Sequence, residues 1–252
     1  MRAREFVNEI SYMDQTIPDY LQGQRRHQLL GTGLDQQAFA TPTGRGVLKV
    51  FGGRQATSAP GVIPTKTPSQ AMYDQWVAYC AAHARSNPFL PRFYRLRNGA
   101  YTQDRVYNGR LYIISFQERL MPGGSSTREL SRLTDYMDRN RGAHYPEIVT
   151  ALTDPDRAEL DPDLRLVLSR VRNVLESTNL DRAQLLEFIN TARELQELAD
   201  ANNWGWDLHA DNIMRRANGT PVIVDPWHMW VQSWSEISPS NRTNSDRTRF
   251  SE

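Results

Sequence analysis

Apolar positions change period about halfway along the chain. Residues 26–51 carry short runs broken by glycine and proline, and they read as strand, glycine turn, strand, hairpin, strand. Leu29-Leu30 leads into Gly31-Thr32-Gly33, and residues 36–40 form a short strand. A turn cluster at 41–46 precedes Val47-Leu48-Lys49-Val50-Phe51, a strand with β-branched and aromatic members. Residues 52–68 are rich in Gly, Pro, Ser and Thr and read as a mobile loop. Helical spacing begins at 69–84, with Met72, Trp76, Tyr79 and Cys80 on one stripe and Ser69 as the N-cap. Strands are expected at 93–96 and 106–116, joined through the Asn98-Gly99 turn.

Past Pro122-Gly123-Gly124 the period becomes helical, over 127–140, 163–177 and 181–202. The last helix has an apolar face of Leu185, Phe188, Ile189, Ala192, Leu195 and Leu198. A polar turn follows at 205–214, then a hairpin around Asn218-Gly219 ending in Val222-Ile223-Val224-Asp225. A β-rich first part followed by helices implies an α+β, two-lobed architecture. The expected divisions are an extension (1–26), an N-lobe (27–120), a shortened, mostly helical C-lobe (121–237) and a disordered tail (238–252).

Composition narrows the function classes. At 252 residues, 39% hydrophobic and 23% charged, the chain reads as a globular protein. A net charge of +1 supplies no field to draw it to nucleic acid or acidic lipid. The apolar runs are too short to span a bilayer, and the N-terminus lacks the apolar core of a signal peptide, so a cytoplasmic setting is expected. The single cysteine, Cys80, allows no internal disulfide and reads as core. Of the 30 Lys and Arg residues, Lys49 and Lys66 are the two lysines. A lysine kept at position 49 by a chain that otherwise uses arginine points to a need for a compact ammonium there.

The candidate chemistry lies in the turn after the last helix. Asp207 and Asn212 are five residues apart, and Asp225 closes the following apolar run. Phosphoryl transfer needs positioning and charge neutralisation more than covalent work. Asp207 is the candidate group for an attacking hydroxyl, with Asn212 and Asp225 as oxygen ligands for Mg2+. His209 is expected beneath the loop, holding its backbone, while Asp211 is expected to be solvated. Gly31, Thr32 and Gly33 form a candidate phosphate-covering turn, and Lys49 would reach the α and β phosphates. A partner for Lys49 is sought on the helix at 69–84, which has no Glu; Asp74 is favoured over Gln70.

These residues resemble the protein-kinase-like superfamily, whose pattern is a Gly-rich loop, a strand lysine, H-R-D-x-x-x-x-N and D-F-G. The loop Asp207-Leu-His-Ala-Asp-Asn-Ile213 is also similar to that of aminoglycoside and choline-type phosphotransferases, and it resembles that of the minimal early serine/threonine kinases of short-tailed bacteriophages. The resemblance covers roughly residues 28–228. It implies ATP and Mg2+ as cofactors and a nucleotide hinge near Phe116-Gln117-Glu118-Arg119-Leu120, with Glu118 and Leu120 at the base. There are departures. Gln36 stands for the third glycine, Trp206 for the Arg before the catalytic Asp, and Trp227 for the Gly of D-F-G. With Trp206 there, the usual contact to a phosphorylated activation segment cannot form. The 27 residues after Asp225 (252 minus 225) leave no sequence for the usual peptide-docking helices.

The resemblance and the residues together favour a minimal Ser/Thr protein kinase acting on a protein substrate, a host protein if the chain is phage- or effector-encoded. One alternative is a small-molecule phosphotransferase, for which Asp154, Asp156, Glu159 and Asp161 offer an acidic segment. Others are a nucleotide-binding pseudokinase and an AMP-transferring enzyme.

Overall fold

The computed structural model describes residues 28–32, 36–41, 44–52, 64–96, 98–142 and 144–229. The expected N-terminal extension, the expected tail, Gly33 and most of the 52–68 loop lie outside the described residues. Five strands form one antiparallel sheet: β1 (Leu29–Thr32), β2 (Gln36–Ala40), β3 (Gly46–Phe51), β4 (Thr102–Tyr107) and β5 (Arg110–Glu118). Their order is β1-β2-β3-β5-β4. Central β3 is buried at all six positions, which explains its unbroken apolar run and makes Lys49 the exception within it. Leu48 and Val50 face one core with Phe39, Ile114 and Phe116, while Phe51 and Ile113 face helix α1 (Pro68–His83) on the other side.

The sequence reading differs from the fold at the second hairpin. The stretch expected as one strand, 106–116, spans the end of β4, a tight turn and β5. Asn108 and Gly109 take positive φ (49° and 70°), the geometry of a two-residue hairpin turn, so Asn108-Gly109 was the turn signal to use. The expected strand at 93–96 reduces to a single bridge, Phe93 to Gln117. The N-cap of α1 is Thr67, not Ser69. Pro68 suits the first helical turn, where no amide hydrogen is needed, and Thr67 and Gln70 cap each other reciprocally.

The second lobe is helical: α2 (Ser125–Gly142), α3 (Tyr145–Thr153), α4 (Pro155–Leu160), α5 (Pro162–Ser177) and α6 (Arg182–Ala201). Helices α3 and α4 were not anticipated. Pro146, Pro155 and Pro162 each sit in the first turn of a helix, where no amide hydrogen is needed. The acidic segment is consumed by this arrangement. Asp154 caps α4, Asp161 caps α5, and Glu159 pairs with Arg172. The apolar faces of α5 and α6 meet α2 and α3 in one core that continues up to Trp76, Val77 and Cys80 of α1. That continuity fixes α1 between the sheet and the helical lobe. Among the described residues no helix is long and apolar enough to cross a membrane. The α+β, two-lobed plan expected from the sequence is the one observed.

Candidate functional site

Lys49 stands mid-strand in β3, opposite Ala38 of β2 and Ser115 of β5. It is 7% exposed. Burial strips water from the ammonium and lowers its pKa, and the nearby Asp225 carboxylate opposes that shift. Neither expected partner on α1 reaches it. Asp74 forms an ion pair with Lys66, which also pairs with Asp104 at 3.0 Å, so Asp74 belongs to a surface cluster. Gln70 is fully buried, and its Nε2 donates to the carbonyls of Gly52 (3.0 Å) and Leu111 (2.7 Å). Beside Lys49, α1 instead offers Tyr73, whose hydroxyl shares a 2.7 Å hydrogen bond with Ser115.

The loop after α6 is held from both sides. Its first residues form β6 (Gly205–Trp206), which pairs with β9 (Trp227–His228). A side chain at Gly205 would bring a Cβ within 2.2 Å of the His228 ring, so glycine is required for this approach. The Asp207 amide donates to the Pro226 carbonyl at 2.8 Å, tying the loop to the segment after Asp225. Asn212 closes a short 3-10 turn (Ala210–Asn212), and its Nδ2 donates to the Asp207 carbonyl at 2.6 Å. That commits the amide nitrogen and leaves Oδ1 as the atom available to a cation. β7 (Ile213–Arg215) and β8 (Pro221–Ile223) then form the expected hairpin, and the Val224 amide donates to the Asn212 carbonyl at 2.9 Å. Asn212 and Asp225 are thereby set side by side.

His209 is exposed rather than packed beneath the loop, although it does hold the backbone: its Nδ1 accepts from the Asp211 amide at 3.2 Å. Accepting at Nδ1 leaves the ring proton on Nε2, which lies 3.8 Å from Asp207 Oδ1. Asp211 is solvated, as its sequence context indicated.

Lys49, Asn212 and Asp225 all line one cleft between the sheet and the helical lobe, with a volume of about 860 Å³. Val47, Leu120, Met214 and Val224 give it apolar walls, and Leu30 and Gly31 lie along its upper rim. Leu120, Val222 and Val224 pack together beneath it. Thr32 ends β1, paired with Gln37. Burial raises the pKa of Asp225. Lys49 and a hydrogen bond from Gln36 pull it back down, and Asp207 pushes it up. Asp207 does not line the cleft itself; it sits beside it through Asn212, whose Nδ2 reaches Asp207 Oδ2 at 3.5 Å.

Glu118 is not among the residues lining the cleft, and its side chain, to which the hinge reading gave no role, binds elsewhere. Its carboxylate accepts from Arg216 Nε at 3.0 Å and Nη2 at 2.6 Å, and from the Arg92 amide at 2.9 Å. Arg216 also donates to the carbonyls of Pro88 and Leu90, so the side chain of Glu118 is a clamp between β5 and the β7–β8 hairpin. Its neighbour Gln117 does face the cleft. Gln117 is 3% exposed, and its Oε1 has no hydrogen-bond partner among the described residues.

The site thus joins a buried ammonium, two oxygen donors and an edge carboxylate. Hard oxygen ligands from Asn212 and Asp225 suit Mg2+, which takes one or two protein ligands and fills the rest with water and phosphate. Among the described residues no group of three or more His, Cys, Asp or Glu side chains could hold a metal. Residues missed at the sequence level are Gln36, Tyr73, Gln117 and Arg216. The period of two would have found Gln36, since positions 36 and 38 of β2 face the same way as Lys49 of β3.

No family model matches the chain, and no curated protein matches it. Among solved structures the chain is similar to an aminoglycoside phosphotransferase from Alicyclobacillus acidocaldarius subsp. acidocaldarius DSM 446, at 15% identity and a TM-score of 0.31. The match covers 79% of this chain and 61% of that one, a likeness too slight to bear on what the site does.

Proposed function

We propose that this chain is an ATP- and Mg2+-dependent phosphotransferase, and that its acceptor is a serine or threonine hydroxyl of a protein. The observation that carries the reading is the convergence of Lys49, Asn212 and Asp225, from separate elements, on one cleft edged by Asp207. In this reading Lys49 binds the α and β phosphates of the nucleotide. Asn212 Oδ1 and Asp225 hold Mg2+, which neutralises charge developing on the transferred group. Asp207 orients the acceptor hydroxyl and receives its proton. Val47, Leu120, Met214 and Val224 flank the base, and Gln117 offers it a carboxamide. A protein of the minimal phage-kinase kind accords with this set, as do the substitutions at Trp206 and Trp227.

A small-molecule acceptor is the second reading. An acidic pocket for a cationic acceptor has little support, because Asp154, Asp161 and Glu159 serve as caps and an ion pair. The cleft walls instead carry Arg119 and Arg128. Incubation with γ-labelled ATP, Mg2+ and a cell lysate tests the proposal. Label on proteins that is lost in Asp207→Ala and Asp225→Ala supports it. Label on small metabolites favours the second reading. Labelling by α-labelled but not γ-labelled ATP would replace phosphoryl transfer with AMP transfer. Nucleotide binding without any transfer would make the chain a binding protein.

A further inference from the structure

Gln36 opens β2 and faces the cleft on the same side as Ala38, the cross-strand partner of Lys49. Its side chain crosses the cleft, and Nε2 donates to Asp225 Oδ2 at 2.5 Å, joining residues 189 apart in the chain. This is a charge-assisted hydrogen bond from the sheet to a carboxylate that the proposed function gives to Mg2+. The other end of the carboxamide is unsatisfied: Gln36 Oε1 is buried and has no hydrogen-bond partner among the described residues. A buried acceptor without a donor is unfavourable, so the carboxamide is held by its bond to Asp225 against that cost. Gln36 and Asp225 both line the cleft, so the carboxamide occupies an oxygen that the proposed function gives to Mg2+.

We propose that Gln36 is a cation-competing latch: its carboxamide holds the start of β2 against Asp225 and releases Oδ2 when a divalent cation binds with nucleotide. This inference rests on the phosphotransferase reading of the same site. The latch weakens cation binding by the strength of the bond that must break. It also couples cation binding to the β2 end of the sheet, since the released side chain no longer ties the two lobes together.

The test uses the full chain in three forms: unmodified, Gln36→Ala and Gln36→Met, the last keeping side-chain length without a donor. Thermal unfolding first establishes that each variant folds. Mn2+ binding in the presence of a nonhydrolysable ATP analogue is read by electron paramagnetic resonance, and the Gln36 side-chain amide is followed by 15N NMR. Loss of one charge-assisted hydrogen bond should tighten Mn2+ binding roughly tenfold in both variants. The Gln36 amide signal, identified by its loss in Gln36→Ala, should shift in Asp225→Asn and again when Mn2+ is replaced by diamagnetic Mg2+ with the analogue. Mn2+ binding that is abolished by Asp225→Asn yet unchanged or weaker in the Gln36 variants overturns the latch and leaves the phosphotransferase reading standing. A Gln36 amide insensitive to Asp225→Asn overturns the latch as well. Absence of Mn2+ and analogue binding from every form overturns both.

Discussion

The Arg216–Glu118 clamp makes a quantitative claim about what holds the two lobes together. The side chains are 15% and 13% exposed, and the pair is bidentate. Replacing Arg216 with Met keeps the aliphatic stem but removes every donor. It strands the Glu118 carboxylate with the Arg92 amide alone, and it withdraws the Arg216 donors from the Pro88 and Leu90 carbonyls. Removing one partner of a buried ion pair typically costs about 3–5 kcal/mol. At roughly 2–4 °C per kcal/mol for a chain of this size, the melting temperature of Arg216→Met should fall by about 6–20 °C.

Urea unfolding followed by tryptophan fluorescence and far-UV circular dichroism measures this cost. The double variant Glu118→Met with Arg216→Met separates pairing from packing. With no charge left unpaired, its cost should fall short of the sum of the single variants by about 2–3 kcal/mol. A Glu118→Gln variant should be milder than Arg216→Met, because its carboxamide oxygen still accepts one of the two Arg216 hydrogen bonds. The clamp reading fails if Arg216→Met costs less than about 1 kcal/mol, the range of an exposed pair. It also fails if the two single variants add without coupling. Either result would mean that the continuous apolar core alone sets the lobe geometry.

Four further outcomes follow from the site. Asp207→Asn should lower kcat by about 10²- to 10⁴-fold with nucleotide affinity little changed, in steady-state kinetics paired with calorimetric binding. Asp225→Asn should instead abolish Mg2+-dependent nucleotide binding in the same calorimetry, because it removes the charged oxygen ligand. Cation affinity should fall on acidification, since protons compete for Asp225; burial, opposed by Lys49, holds that carboxyl above its ordinary 3.8, so the loss begins above that pH. Lys49→Met should move the midpoint further up by removing the opposing charge, and a midpoint unchanged in Mn2+ titrations from pH 4 to 8 would remove Lys49 from the vicinity of Asp225. Gly205→Ala should destabilise the chain by about 1–3 kcal/mol in urea unfolding, because the added methyl meets the His228 ring at 2.2 Å.

The elements with sustained period were legible in the sequence, because burial on one face leaves its mark at every third or second position. Leu185, Phe188, Ile189, Ala192 and Leu195 of α6 are all fully buried, as their spacing indicated. The hairpin expected after the polar turn also forms, and it brings Asn212 and Asp225 to one cleft. What periodicity cannot show is where a lone polar side chain finds its partner. Asp74 and Gln70 were weighed for Lys49 on helical spacing, but Asp74 is drawn off by Lys66, which is 17 residues from Lys49 in sequence (66 minus 49). Glu118 was placed at the hinge by its position in the chain, while its side chain answers to Arg216, 98 residues away. Helices α3 and α4 were hidden for another reason: they are short, nine and six residues, and each begins at a proline-containing first turn, while proline both ends and begins helices.

The missing acid on α1 takes on a different meaning once the packing around Asp225 is considered. An ion pair between α1 and a strand lysine would hold the helix through two flexible, well-hydrated groups, whose mutual attraction is opposed by the cost of burying them. Here α1 is held to the segment leading into Asp225 by indoles. Trp76 Nε1 donates to the Val224 carbonyl at 3.2 Å, and its ring meets Trp227 edge-on at 5.3 Å. Trp227 in turn donates to the Leu195 carbonyl at 2.9 Å and packs on Trp204 at 4.8 Å. Trp227 is therefore the anchor joining α6, the Asp225 segment and α1. Tyr73, three residues before Trp76, then reaches Ser115 beside Lys49. Lys49 is placed by its ladder and by this packed column, so the helix needs no carboxylate to keep the ammonium facing Asp225. Rigid aromatic contact from Trp76 and Trp227 places α1 where no carboxylate on the helix reaches Lys49.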